Sequence, residues 1–123
     1  MATGSPFEPV TRGGTTYEIG QANNALIFPG LGLGAVVARA TRVTDAMLAA
    51  AARAVAAQVD PGNPGASLLP PTTELRPTSA AVAVAVARAA AEDKVARQSV
   101  DDTIEDRVHR AMWEPVYKPV VAV

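Results

Sequence analysis

The 123-residue sequence contains no cysteine. This absence excludes a disulfide scaffold, thiolate metal sites and a cysteine nucleophile, and it is compatible with a reducing compartment. An excess of charge of one sign is also lacking, because 11 basic and 12 acidic residues leave a formal net charge of −1. Since a nucleic-acid-binding surface needs a basic excess, we expect no nucleic-acid partner.

Long apolar runs and large apolar side chains are scarce as well. Aromatic residues make up only 4% of the sequence, whereas 26 alanines and 16 valines supply most of its apolar residues. Arg53 and Arg88 interrupt the alanine-rich stretches too early for a membrane span, and the first residues lack the basic and apolar regions of a signal peptide. We therefore expect a cytoplasmic protein with a thin core and no membrane contact.

The chain has the length of about one domain, and its first part is predicted to be loop and strand. Residues 1–24 are rich in Gly, Pro, Thr and Asn, and the segment Arg12-Gly13-Gly14 predicts a hairpin turn. The apolar run 25–28 ends at Pro29-Gly30 and predicts a buried strand. Residues 25–123 are thus expected to form one strand followed by helices.

About four helices are predicted after this strand. Residues 34–40 are helical in composition, and Thr44 is a good N-cap for a helix over 45–58. The Ala/Val run 80–91 exceeds ordinary strand length and predicts a helix that is apolar all round, with a cap near Ser79. Ser99 can cap a last helix that reaches about Met112 and carries Ile104 and Val108 on one face.

A glycine-rich motif is the first candidate for a binding site. The segment Gly30-Leu31-Gly32-Leu33-Gly34-Ala35 satisfies the dinucleotide-binding pattern G-x-G-x-x-A after a strand-like run. That fingerprint also needs a second strand that ends in an acidic residue about 20 positions on. Because the start of a helix occupies that region at Thr44-Asp45, a close-packed strand-to-helix turn without nucleotide contact is the better interpretation.

Other polar residues give weaker signals for chemistry. The adjacent carboxamides of Asn23 and Asn24 could bind a carboxylate or hydroxyl group, but asparagine pairs are common in turns. His109 is the only histidine and no serine has an evident base, so a catalytic triad cannot be argued. The acidic residues of 101–106 fit the start of a helix better than a metal site. From these residues alone, no catalytic and no metal-binding residue is assigned.

The ordered combination of motifs resembles the malic enzymes, the oxaloacetate-decarboxylating malate oxidoreductases. The resemblance covers essentially the whole chain, although the region after Asp93 is more divergent. It is carried by the following segments, in order along the chain: Gly4-Ser5-Pro6-Phe7-Glu8-Pro9-Val10, Gly20-Gln21-Ala22-Asn23-Asn24-Ala25-Leu26-Ile27-Phe28-Pro29-Gly30-Leu31-Gly32-Leu33-Gly34, Arg42-Val43-Thr44-Asp45 with Met47-Leu48, Leu69-Pro70-Pro71, Arg76 with Ser79-Ala80-Ala81-Val82-Ala83, and Trp113-Glu114-Pro115-Val116-Tyr117.

The resemblance implies an α/β fold, the helix-rich C-terminal portion of a Rossmann-like NAD(P)-binding domain, so that 1–123 would be one incomplete domain. It implies oxidative decarboxylation of malate to pyruvate and CO2 in the intact enzyme, with NAD or NADP and with Mg²⁺ or Mn²⁺. In the family, the lysine and tyrosine that act as base and acid, the metal ligands and the true dinucleotide fingerprint lie upstream of this segment. The isolated chain is therefore expected to be inactive and to need no cofactor.

The resemblance implies a binding role for two residues. Asn23 and Asn24 match the paired asparagines that lie beside the substrate and the nicotinamide, so both are predicted to bind substrate and cofactor. Gly4-Ser5-Pro6-Phe7 matches residues near the active cleft and receives no catalytic role.

Two other functions remain open at this point. The helices could form a non-enzymatic oligomerisation or regulatory module, and the turn at Gly30 could bind a nucleotide. Whichever function applies, including that of a malic enzyme segment, we expect a homo-oligomer or association through exposed apolar helices.

Overall fold

Four short strands and four α-helices make up the computed structural model, which describes residues 1–117. This content confirms a helix-rich α/β fold with about four helices, and the long third helix packs against the other three. None of the helices in the described range is both long and apolar enough to cross a membrane. The elements are β1 (Ala2–Thr3), β2 (Val10–Arg12), β3 (Thr15–Tyr17), β4 (Gly20–Gln21), α1 (Phe28–Val37), α2 (Asp45–Ala56), α3 (Leu75–Glu92) and α4 (Ile104–Ala111).

The N-terminal strands form two separate pairs. Strands β2 and β3 are antiparallel, and the left-handed φ angles of Gly13 (60°) and Gly14 (80°) give the turn that a two-residue hairpin requires. The predicted hairpin is thus confirmed. Strands β1 and β4 are parallel, and the backbone N–H of Glu18 donates to the carbonyl oxygen of Gly65 at 2.8 Å. This hydrogen bond attaches the hairpin to the loop that follows α2.

The strand predicted over 25–28 is wrong. A 3₁₀ turn at Asn24–Leu26 leads directly into α1, which begins at Phe28 and continues through Pro29 and the three glycines. Pro29 occupies the second position of the helix, where its missing N–H costs no intrahelical hydrogen bond. In the sequence, the pair Pro29-Gly30 predicts the end of the preceding apolar run. In the structure it lies inside the first turn of α1.

Two glycines of α1 bring this helix into very close contact with α3. A Cβ atom at Gly30 would lie 2.5 Å from Cβ of Val82, and one at Gly34 would lie 2.5 Å from the carbonyl oxygen of Ala83. Both distances are too short for any real side chain, so only glycine allows the two backbones to approach this closely. Because Gly30 meets residues 79–82 and Gly34 meets residues 83–86, the two helices run parallel.

The remaining helices mostly follow the sequence predictions. Helix α2 begins after Thr44, whose hydroxyl accepts a hydrogen bond from the N–H of Met47 at 3.3 Å, and it buries Met47, Ala51 and Val55. This confirms the predicted N-cap and the predicted helix. The helix ends at Ala56, two residues before the predicted end at residue 58. Helix α4 buries Ile104 and Val108 on one face, as predicted.

Two predicted caps are wrong. Helix α3 begins at Leu75, so Ser79 lies inside it and is buried there; Pro77 does not stop the helix because it falls in the first turn. Helix α4 begins at Ile104, and Asp101, instead of Ser99, accepts the hydrogen bonds that form the turn before it. Most of α3 is inaccessible to solvent, which confirms that the Ala/Val helix is buried.

Helices α1 and α3 end side by side. Arg39 and Lys94, just past the two helices, have left-handed φ angles of 50° and 57°. The carbonyl oxygen of Ala38 accepts hydrogen bonds from the N–H groups of Arg97 and Gln98, both at 3.1 Å. The guanidinium group of Arg107 donates to the carbonyl oxygen of Val37 at 3.0 Å. The carbonyl groups of Val37 and Ala38 at the end of α1 are thus satisfied by the chain that follows α3.

The packing of α1 on α3 predicts opposite effects for two Gly→Ala substitutions in the same helix. Gly34→Ala forces a methyl group against the backbone of α3 and should lower the free energy of unfolding by at least about 2 kcal/mol. Gly32→Ala is the matched control, because a Cβ atom there meets nothing within 4 Å. It should raise the free energy of unfolding by about 0.5–1 kcal/mol. Urea unfolding followed by circular dichroism measures both, and equal effects would contradict the assigned packing.

Candidate functional site

The asparagine pair lies at the entrance to α1 and is exposed. The side-chain oxygen of Asn23 accepts a hydrogen bond from the backbone N–H of Ala25 at 2.9 Å, so Asn23 caps the 3₁₀ turn. Because its partner is a donor, the atom that faces Ala25 must be the oxygen of the carboxamide. The NH2 group of Asn23 therefore points the other way and can offer two donors to a ligand.

The two asparagines lie at the edge of an open groove of about 340 Å³. The groove is mostly apolar, and the carboxamides supply its polar side-chain groups. This combination suits a small ligand with an apolar carbon skeleton and carboxylate or hydroxyl groups. The lining residues are Ala22, Asn23, Asn24, Leu26, Ile27, Ala52, Val55 and Leu69.

A second groove of about 410 Å³ adjoins the first, since Leu69 lines both. Segments that are far apart in the sequence meet here: Pro6 and Phe7 lie opposite Pro70 and Pro71. The structure therefore brings together, on one side of the molecule, the segment 4–7, the asparagine pair and the segment 69–71. The parallel pairing of β1 with β4 makes this possible, because it holds the N-terminus beside residues 20–21.

Sequence reasoning assigned no binding role to the polar residues of the second groove, which include Glu18 and Gln21. The side-chain N–H of Gln21 donates to the carbonyl oxygen of Gly4 at 3.4 Å, so Gln21 positions the segment that carries Phe7. The only signal in the sequence was that Gln21 lies two residues before Asn23, within the segment that resembles the malic enzymes.

The glycine-rich motif does not form a phosphate cradle. Gly30 and Gly34 are buried against α3, and only Gly32 of the three glycines is exposed, in the middle of the helix. Pro29 also removes one of the N–H donors that a helix N-terminus offers to an anion. The interpretation of this motif as a packing element is thus confirmed, although it lies within a helix instead of a turn. The alternative function, nucleotide binding by the turn at Gly30, therefore has no support from this motif.

Among the residues that the structure describes, no catalytic triad is assembled around His109. This side chain is exposed on α4, beside an apolar groove of about 450 Å³ between α3 and α4. Serine is absent from the residues that line that groove. Ser79 lies in α3 and is buried, and the hydroxyl of Ser67 donates to the carbonyl oxygen of Leu69 at 2.7 Å. Burial in α3 thus accounts for Ser79, and the hydrogen bond to Leu69 accounts for Ser67.

The acidic segment before α4 stabilises the start of that helix. The hydroxyl of Thr103, at 2.6 Å, and its backbone N–H, at 3.0 Å, hold the pKa of the Asp101 carboxyl below its ordinary value of 3.8. Glu105 forms an ion pair with Arg88 of α3 at 3.5 Å. Within residues 1–117, no group of three or more His, Cys, Asp or Glu side chains is placed so that it could hold a metal ion.

Comparison with known proteins identifies relatives along the whole chain. The chain is 53% identical over 123 residues to "NAD-dependent malic enzyme 3" of Bacillus subtilis and spans 22% of the length of that protein. It is 53% identical over 117 residues to a "Putative malate oxidoreductase [NAD]" of Mycobacterium tuberculosis and spans 21% of its length. The chain thus covers about a fifth of the length of these relatives.

A solved structure and a protein family agree with this assignment. The crystal structure of the malic enzyme from Pyrococcus horikoshii superposes with a TM-score of 0.69 and 33% identity, over 89% of this chain and 23% of that one. Residues 1–91 match the family described as "Malic enzyme, NAD binding domain". The family match covers well over half of the sequence, and the chain belongs to the malic enzyme NAD-binding domain family.

Proposed function

We propose that the chain acts as part of a malic enzyme that converts malate to pyruvate and CO2. The observation that carries this proposal is the 53% identity to an NAD-dependent malic enzyme along all 123 residues. In the reaction, the C2 hydroxyl group of malate loses a proton and C2 loses a hydride to NAD, which gives the keto acid. Cleavage of the C3–C4 bond, to the carboxylate β to the new carbonyl, releases CO2 and leaves the enolate of pyruvate, which then takes a proton on C3.

The two asparagines are proposed as the substrate-binding and cofactor-binding residues of this chain. The oxygen of Asn23 is engaged by Ala25, so this residue presents N–H donors and fits a carboxylate of malate. Asn24 is exposed beside it and can donate as well as accept, which suits a hydroxyl group of malate or the carboxamide of nicotinamide. Their role in this chain is to bind and orient, while the proton transfers need other residues.

We infer that the cofactors are bound mainly outside the described residues. Their glycine-rich helix offers no pyrophosphate site, and their acidic residues form no metal cluster. NAD is the cofactor named for the relatives, and we extend it to the intact enzyme together with Mg²⁺ or Mn²⁺. NADP is the less favoured alternative. We also propose a cytoplasmic location, in keeping with the cysteine-free composition.

The isolated chain should not catalyse the reaction. Malate, NAD and Mn²⁺ added to stoichiometric amounts of the 123-residue chain are expected to give no absorbance change at the wavelength of NADH, because the proton-transfer groups are missing. The matched active protein is a chimera in which these 123 residues replace the corresponding fifth of the Bacillus subtilis relative. The chimera should form NADH in the presence of malate. A chimera that folds but never uses malate would contradict the proposed function.

Substitutions of Asn23 should separate its cap from its ligand contact. Asn23→Asp keeps an acceptor for Ala25 but removes the donors and adds a negative charge, so the stability should be unchanged while KM for malate rises at least about tenfold in the chimera. Asn23→Ala removes both functions and should also lower the free energy of unfolding by about 1 kcal/mol.

Gln58→Glu is the control for this series. It makes the same change from amide to carboxylate at an exposed position that does not line the groove. The KM of this variant should stay at the unsubstituted value. An unchanged KM in Asn23→Asp as well would show that Asn23 is only a cap.

A further inference from the structure

Helix α1 has an apolar surface on every side, which is unusual for a helix at the surface of a protein. Its ten residues include no charged or polar side chain. By contrast, α4 buries Ile104 and Val108 and carries the charged residues Glu105 and Asp106 among its exposed positions. The pattern of α4 is that of a surface helix, whereas a helix that is apolar all round is normally buried on all sides.

One side of α1 is nevertheless uncovered. Gly30, Gly34 and the following Ala38 are buried, but Phe28, Gly32 and Val36, which lie on the opposite face, are exposed. Phe28 is 61% exposed and Val36 is 71% exposed. We call these three residues the outer stripe of α1. The stripe extends over about 12 Å of helix, and its first residue is one helical turn from Asn24.

A second copy of the chain would be a poor partner for the outer stripe alone. The stripe presents apolar surface on the order of 200–300 Å², because it contains one aromatic side chain, one valine and one glycine. A stable interface between two proteins needs about 800 Å² from each partner. Contact between two such stripes would therefore be too small to hold a dimer.

The rest of a malic enzyme polypeptide is the better partner. The chain spans 22% of the length of its Bacillus subtilis relative and 23% of the Pyrococcus horikoshii chain on which it superposes. Nearly four fifths of each relative thus lie outside the segment represented here. A surface belonging to the same polypeptide is held nearby by the chain and needs no large contact area to stay bound, because its effective concentration is high.

We propose that the outer stripe of α1 packs against an apolar surface of the malic enzyme polypeptide outside these 123 residues, beside the groove that Asn23 and Asn24 line. This inference rests on the proposed function, because the partner is the remainder of that enzyme. In the intact enzyme, this side of α1 is then buried as well. Gly32 at the centre of the stripe allows a close approach of the partner surface. The occupant would reach the edge of the asparagine groove.

The absence of cysteine makes a labelling experiment simple. Gly32→Cys places one thiol at the centre of the stripe, where a Cβ atom meets nothing within 4 Å in the chain alone. Asn63→Cys is the control, in an exposed polar turn after α2. Each variant is treated with a maleimide both as the chain alone and in the chimera, and the labelled peptide is quantified by mass spectrometry. Position 32 should react at least about tenfold more slowly in the chimera, whereas position 63 should react equally in both proteins.

Three outcomes distinguish failure of the inference from failure of the proposed function. Equal labelling of position 32 in an active chimera and in the chain alone would overturn the inference, and it would leave the proposed function intact. Protection of position 32 in the chain alone, together with a dimer in sedimentation, would identify a second copy as the occupant. Protection in a chimera that does not use malate would support the inference and contradict the proposed function.

A measurement without substitutions covers the case in which a thiol at position 32 prevents assembly. Carbene footprinting of the unsubstituted proteins reports the accessibility of Phe28 and Val36 directly. Both residues should be modified in the chain alone and protected in the chimera. Modification to the same extent in the two proteins would overturn the inference.

Discussion

The close contact between α1 and α3 is the constraint on which the rest of the structure depends. At Gly30 and Gly34 the two backbones lie too near each other for any side chain. A core made of alanine and valine can bury little area per residue, so it gains stability when helices approach closely and many small contacts form. The scarcity of large side chains and the presence of these glycines are thus two aspects of the same packing solution.

This contact also sets the position of the candidate site. Asn23 and Asn24 precede α1 directly, and the capping hydrogen bond of Asn23 fixes the turn through which the chain enters the helix. Once α1 is seated on α3, the asparagine pair is held above Ala52 and Val55 of α2 and beside Leu69. The helices therefore hold the pair in place, although none of them contributes a charged group to the groove.

Part of this arrangement could be predicted from the sequence because the signals are local. The Gly-Gly turn of the hairpin, the Thr44 cap and the uniform Ala/Val composition of α3 each act within a few residues. The stretch 25–30 could not be predicted in this way. Its apolar residues fit a strand or a helix. Gly30 at its end, like Gly34 one turn later, is explained only by contacts with Val82 and Ala83, some fifty residues further on. The capping role of Asn23 was not predicted either, and the ligand contact proposed for this residue would use the same carboxamide.

The parallel arrangement of α1 and α3 has an electrostatic consequence. Each helix carries a partial negative charge of about half an elementary charge at its C-terminus, and in a parallel pair the two ends lie together. Arg39, Lys94, Arg97 and Arg107 gather there, and Arg107 donates directly to a terminal carbonyl oxygen. These four cations are more than a third of the 11 basic residues in the chain. The two helix ends together carry only about one negative charge, so these four cations more than balance the charge of the helix ends.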